Sequence, residues 1–171
     1  MPIMLKETAL TLKQIQLKLG VPQYVLIHLC EKGVIEPEFE QTQGRGQWRK
    51  FSHKNLFEFA VALELRKYEV SVSTIAVIIR LLSSFERATK NKISNFELPN
   101  YLITKKVSSN LFIFNGTHLL FEINKSILGF NLVKLLKGDF KQVKVEKFPA
   151  LPSQYESYLK INLTEITRRI A

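Results

Sequence analysis

Residues 11–33 read TLKQIQLKLGVPQYVLIHLCEKG. Thr11 with Gln14 three positions on is a capping box, in which each side chain satisfies the other residue's free amide, so a helix is predicted to start there. Leu12, Ile15 and Leu19 recur at helical spacing and form its buried stripe. Gly20 ends it. Pro22 suits the first turn of a second helix, where a missing N–H costs nothing. Val25 or Leu26, with Leu29, face inward. Gly33 is placed as a C-terminal cap, and Pro37 stops anything further. Two short helices about a tight turn at Gly20-Val21 are either a helix-turn-helix or an ordinary helical hairpin.

The next stretch favours the first. Phe39 and residues 48–51 predict two short strands with Gly44-Arg45-Gly46 at the tip, a two-stranded wing. From Gln41 to Asn55 there are four cations (Arg45, Arg49, Lys50, Lys54) and no anion. Ser52 then caps a third helix with an apolar face of Leu56, Phe59, Ala60, Leu63 and Leu65. A fourth starts at Ser73 or just before it, with Ile75, Ile78, Ile79 and Leu82 as core positions. Residues 1–92 thus read as one unit of four helices and a wing.

NKISNFELPN, 91–100, reads as a polar linker. Beyond it, 97–171 reads as a small α+β domain, which makes the whole chain α+β. LFIFNGTHLLFEI is two β-rich runs around Asn115-Gly116, the strongest short hairpin signal. His118 reads as a strand residue beside that turn. YLITKKV before it and FKQVKVEKF after it read as further strands. KSILGFNLVKLLKG, between them, is read as a helix ended by Gly138, against which Gly129 and the β-compatible residues argue. Ser153 and Glu156 form another capping box. Tyr155, Leu159, Leu163, Ile166 and Ile170 then line a C-terminal helix, as either the core face of one subunit or a dimer seam, the seam being favoured.

The chain has 171 residues, 46% hydrophobic, with 25 Lys and Arg against 15 Asp and Glu, a net charge of +10. That excess suits an anionic partner such as nucleic acid, acidic protein or a membrane surface. Cys30, the single cysteine, excludes an intramolecular disulfide, fits a reducing cytoplasm, and reads as a small buried hydrophobe. Three dispersed histidines and one cysteine lack structural-zinc spacing, and no cofactor motif is present. Lys6 and Glu7 interrupt the first apolar stretch, unlike a signal peptide, and no apolar run approaches a membrane span. A nucleophile elbow and a phosphate-binding glycine loop are also lacking, and Asp139 is the sole aspartate, so an enzyme is not expected.

The first ~90 residues resemble the DNA-binding domain of the MerR family of bacterial transcription regulators. The likeness is carried, in order, by TLKQIQLKLGV, LCEKGVIEP, GRGQWRKFSHKNL and LRKYEVSVSTIAVIIRLL. The resemblance implies that the second helix enters the major groove of double-stranded DNA and that the wing follows the phosphate backbone. Gln23, Tyr24, Ile27 and His28 would then face the groove, and Arg45, Trp48, Arg49 and Lys50 would sit on the wing, with Lys54 at the start of the third helix. Elementary chemistry agrees: glycines permit close approach of the backbone, and arginine pairs bidentately with phosphate oxygens. Trp48 is either a DNA contact or the wing's own core residue.

The expected protein is a cytoplasmic DNA-binding transcription regulator, homodimeric, responding to an unknown effector, with no membrane partner. The second helix carries no arginine, the commonest specific base reader. That suits a second expectation, a MerR-fold protein-interaction module such as a chaperone modulator. A third is a phage-type excisionase, which uses a similar fold to bend DNA.

Overall fold

The computed structural model describes residues 9–39, 50–91, 93–114, 118–124, 126–131, 146–148 and 158–171, with residues 114, 118, 126–131 and 146–148 described by their backbone alone. The chain is α+β, with six helices and two antiparallel sheets among the described residues. It divides into two compact units, residues 1–76 with Ile170 and residues 77–169 with Ala171.

The first unit opens with β1 (Leu10–Thr11), α1 (Leu12–Leu19) and α2 (Gln23–Glu31). The expected capping box is present: Gln14 N–H donates to Thr11 Oγ1 at 3.2 Å, and Thr11 N–H donates to Gln14 Oε1 at 2.8 Å. Gly20 takes the left-handed conformation, φ 64°, and its N–H closes α1 on the Gln16 carbonyl at 2.9 Å. Pro22 sits at the N-cap of α2 with extended backbone rather than inside its first turn. Ile15, Leu26 and Leu29 are buried, while Leu12, Leu19 and Val25 are half-buried. Gly33, φ 70°, and the Val34 N–H on the Leu29 carbonyl then turn the chain away from α2.

β2 (Lys50–Phe51) follows, paired antiparallel with β1 in the register Leu10↔Phe51 and Thr11↔Lys50. β1 has no counterpart in the sequence reading, because a two-residue strand against a helix cap leaves no alternation to detect. α3 (His53–Lys67) starts at Ser52, whose Oγ accepts the Asn55 N–H at 3.1 Å. It is buried without interruption from Asn55 to Ala62, so its apolar face is wider than the expected stripe, and Leu63 is only half-buried. Phe51 meets Phe59 edge-on at 5.4 Å. α4 (Val72–Lys90) begins in this unit and runs on into the second, with Ile75, Ile78, Ile79 and Leu82 buried as predicted.

In the second unit, the stretch read as a linker is packed. Phe96 and Leu98 are buried, and the Leu98 N–H donates to the buried Glu86 carboxylate at 3.0 Å. YLITKKV is a short helix, α5 (Asn100–Lys105), not a strand. Tyr101 N–H bonds the Glu97 carbonyl at 2.7 Å and Leu102 is buried, so tertiary context overrides the β-rich composition.

A five-stranded sheet follows: β3 (Ser109–Phe114), β4 (His118–Ile123), β5 (Ser126–Asn131), β6 (Glu146–Phe148) and β7 (Leu159–Asn162), in spatial order β6-β5-β4-β3-β7. The Asn115-Gly116 hairpin joins β3 and β4 in the register Phe114↔His118, its turn lying outside the described residues. Leu111, Ile113, Leu119 and Phe121 are buried on one face; Phe112 and Leu120 are buried on the other.

Two sequence expectations fail here. Residues 126–131 form β5, paired with β4, rather than a helix; the rest of that predicted helix is outside the described residues. Asn124 at φ 46° leads out of β4, a conformation asparagine tolerates, and Gly129 lies within β5 opposite Leu120. The C-terminal helix begins only at Leu163, as α6 (Leu163–Ile170). Leu159 belongs to β7, which pairs antiparallel with β3. Asn162 is the true cap, its Oδ1 accepting the Glu165 N–H at 3.0 Å, whereas Ser153, Tyr155 and Glu156 lie outside the described residues. Leu163, Ile166 and Ile170 are buried within the single chain, which removes them as a dimer seam. Arg168 hydrogen-bonds Glu165 and holds its carboxyl below the usual carboxylate range. Among the described residues no helix is long and apolar enough to cross a membrane.

The centre of the second unit is aromatic. Phe85 of α4 stacks on Phe121 of β4, with ring centroids 3.9 Å apart and planes at 10°, and meets Phe96 edge-on at 5.7 Å. Phe96 in turn touches Tyr101 at 5.0 Å. Phe85→Ala and Phe121→Ala are each expected to cost about 3–5 kcal/mol, as large-to-small changes in a close-packed core do. The double variant should lose less than the sum, because the two rings pack on each other. Urea denaturation followed by circular dichroism measures both.

Candidate nucleic-acid interface

α2 has one side committed to packing and one side open. Leu26 and Leu29 are fully buried; Gln23, Tyr24 and Ile27 are exposed, Tyr24 at 72% and Ile27 at 36%. His28 is half-buried on the shoulder between them. The spacing explains the division, since positions 23, 24, 27 and 28 fall on one face and 26 and 29 on the other. The four residues expected to face a groove therefore share one short helix, three of them in solvent. Leu17, on α1, is also exposed, at 74%. Its spacing from Ile15 puts it outside the buried stripe, a signal already legible in the sequence.

The basic stretch leaves and rejoins the same unit through paired backbone. Phe39 N–H donates to the Lys50 carbonyl at 3.3 Å, an antiparallel bridge, and Lys50 pairs on its other side with Thr11. Lys50 is thus the middle of a three-segment ribbon, with its side chain half-exposed. Lys54, in the first turn of α3, is half-buried. Arg45, Trp48 and Arg49 lie outside the described residues, as does the Gly44-Arg45-Gly46 tip. Of the nine residues expected at the interface, Gln23, Tyr24, Ile27, His28, Lys50 and Lys54 are brought into one unit.

The same unit exposes charges of both signs. Lys13, Lys18 and Lys32 are exposed, and so are Glu31, Glu36 and Glu38. The two glutamates ahead of the wing remain in solvent, with no ion pair among the described residues. Chemically, the α2 face offers an amide, a phenol, an aliphatic group and an imidazole. An amide reads adenine edges, an aliphatic side chain meets a thymine methyl, and a phenol donates to phosphate. Among the described residues, no group of three or more His, Cys, Asp or Glu is arranged to hold a metal ion.

Asn55 was not singled out by sequence reasoning, although it stands in the N3 position of a Ser52-x-x-Asn55 capping box, which was the available signal. It is buried, and its side chain reaches both sides of the basic stretch. No protein-family model matches the chain, and no curated protein matches it either.

The α1–α2 turn sets how the open face of α2 is presented. A Cβ on Gly20 would meet nothing within 4 Å, so the glycine answers a backbone requirement and not a steric one. Gly20→Ala should therefore destabilise by about 1–2 kcal/mol, the cost of holding a non-glycine residue in the left-handed region. Gly20→Asn should cost less. Chemical denaturation of the two variants against the parent gives the comparison.

Proposed function

We propose that the first unit binds double-stranded DNA, with α2 in the major groove and the basic stretch against the phosphate backbone, as in a MerR-like transcription regulator. The observation that carries this reading is the pairing of two features in one unit. The helix after the Gly20 turn keeps Gln23, Tyr24 and Ile27 in solvent. The four-cation, anion-free stretch from Gln41 to Asn55 is rooted in the same unit through Phe39, Lys50 and α3. Lysine and arginine on phosphates supply affinity and register, while the arginine-free α2 supplies modest base discrimination. Binding two half-sites calls for a homodimer. Its pairing surface is not the buried Leu163, Ile166 and Ile170 stripe. The second unit is the place for an effector, and the cytoplasm the place of action.

One observation favours a second reading, a protein-interaction module. Leu17, Tyr24 and Ile27 are three of the large hydrophobic side chains most exposed among the described residues. Apolar exposure on an arginine-free helix pair suits a protein groove as well as a DNA one.

Fluorescence anisotropy with a random duplex separates the two. DNA binding predicts affinity that falls steeply with salt through counterion release. Arg45→Ala, Arg49→Ala and Lys50→Ala combined should flatten the log–log salt slope by about two to three units, roughly 0.9 for each phosphate no longer neutralised. An unchanged slope removes the wing from the interface. Absence of any binding at low salt leaves the protein-interaction reading in possession.

A further inference from the structure

The described segments on either side of residues 40–49 are held by one side chain. Asn55 is 2% exposed, and both polar atoms of its amide are used in full. On the incoming side, Oδ1 accepts the Glu38 N–H at 2.9 Å and Nδ2 donates to the Glu36 carbonyl at 2.9 Å. On the outgoing side, Oδ1 also accepts the Ser52 N–H at 3.1 Å. Nδ2 donates its second hydrogen to Glu58 Oε1 at 3.0 Å, one turn further along α3. Two donors and two acceptors face their complements, so the amide has one orientation that works; flipped, it would set N–H against N–H and oxygen against oxygen.

Among the described residues the incoming segment also meets the outgoing one in one backbone bridge, Phe39 with Lys50. Three side-chain bonds, converging from residues 36, 38 and 52 on a buried group, add a fixed direction to that contact. The burial strengthens the point, because a buried polar group left without a partner loses its water and gains nothing in return.

We propose that Asn55 is the positioning residue of the wing: it clamps the segments before and after residues 40–49 to the first turn of α3 and so fixes the basic stretch relative to α2. Its part in DNA binding rests on the function proposed above; its part as a clamp does not.

The test uses the full-length protein and two readouts. Hydrogen exchange reports the clamp, and anisotropy with a random duplex reports its effect on binding. Asn55→Ala should speed exchange at the Glu38 and Ser52 amides by about tenfold or more, while the α1 and α2 amides keep their protection, as local opening without global unfolding does. Duplex affinity should fall about tenfold and the salt slope should flatten. Ser52→Ala is the matched control: it removes the hydroxyl that accepts the Asn55 N–H and weakens the α3 cap, yet leaves the four side-chain bonds of Asn55 in place. It should leave exchange at Glu38 and the salt slope near the parent's. If Asn55→Ala does not fold, Asn55→Asp serves. It keeps both acceptor bonds, loses both donors, and should open the Glu36 side while sparing the Glu38 and Ser52 amides.

Unaltered exchange at Glu38 in Asn55→Ala overturns the clamp. Faster exchange with affinity and slope unchanged overturns the positioning role. Ser52→Ala reproducing the whole pattern also overturns it, because a weakened helix cap would then be the cause. A parent protein without duplex affinity instead removes the proposed function, and with it the wing role, whatever the exchange pattern.

Discussion

The burial of α3 is the constraint on which the first unit depends. Residues Asn55 to Ala62 lie inside without a break, so the helix has no solvent side over two turns. A helix so placed cannot leave polar groups unpaired without a heavy desolvation penalty. Asn55 and Glu58 therefore have to be bonded, and they bond each other, while Asn55 also bonds Ser52 and the backbone of 36–38. Core packing and loop attachment are in this way one requirement. The same polar groups that make the interior of α3 tolerable also tie the basic stretch to it.

That coupling bears on what the unit can do. Under the proposed function, a DNA contact made by the basic stretch is productive only if that stretch keeps its place relative to α2. α2 takes its place from Gly20 on one side and Leu26 and Leu29 beneath. The ribbon takes its place from β1, which continues directly into α1, so Thr11 both caps the first helix and pairs with Lys50. Thr11 is thereby a common reference for α1 and β2. The exposed Glu36 and Glu38 set a limit on the electrostatics, since they put negative charge at the root of a positive segment.

The first unit was largely legible in the sequence because its signals are local. Capping boxes at Thr11 and Ser52, the left-handed glycine at 20, and the inward Leu26 and Leu29 each depend on residues within one or two turns. The second unit was less legible because its elements are decided at a distance. Tyr101 to Lys105 look β-compatible but become helical where Glu86 meets the Leu98 N–H. Leu159, Leu163, Ile166 and Ile170 happen to fall at helical spacing, which hid a strand-to-helix junction at Asn162. Within the candidate site the inward side of α2 was readable from periodicity, and its open face from the family resemblance. The role of Asn55 was not, because a capping position says nothing about partners 17 and 19 residues away.

The position of β7 has a consequence for how the second unit comes into being on the ribosome. β3 and β4 join through a short hairpin and can pair as soon as both have emerged. The other side of β3 waits for β7, and the Ser109 amide finds its Thr164 hydroxyl only after 55 further residues have been made. Throughout that interval Leu111 and Ile113 sit on a strand with one margin unprotected, the kind of surface that recruits foreign strands. Vectorial synthesis therefore leaves the nascent sheet open to self-association until its last strand arrives.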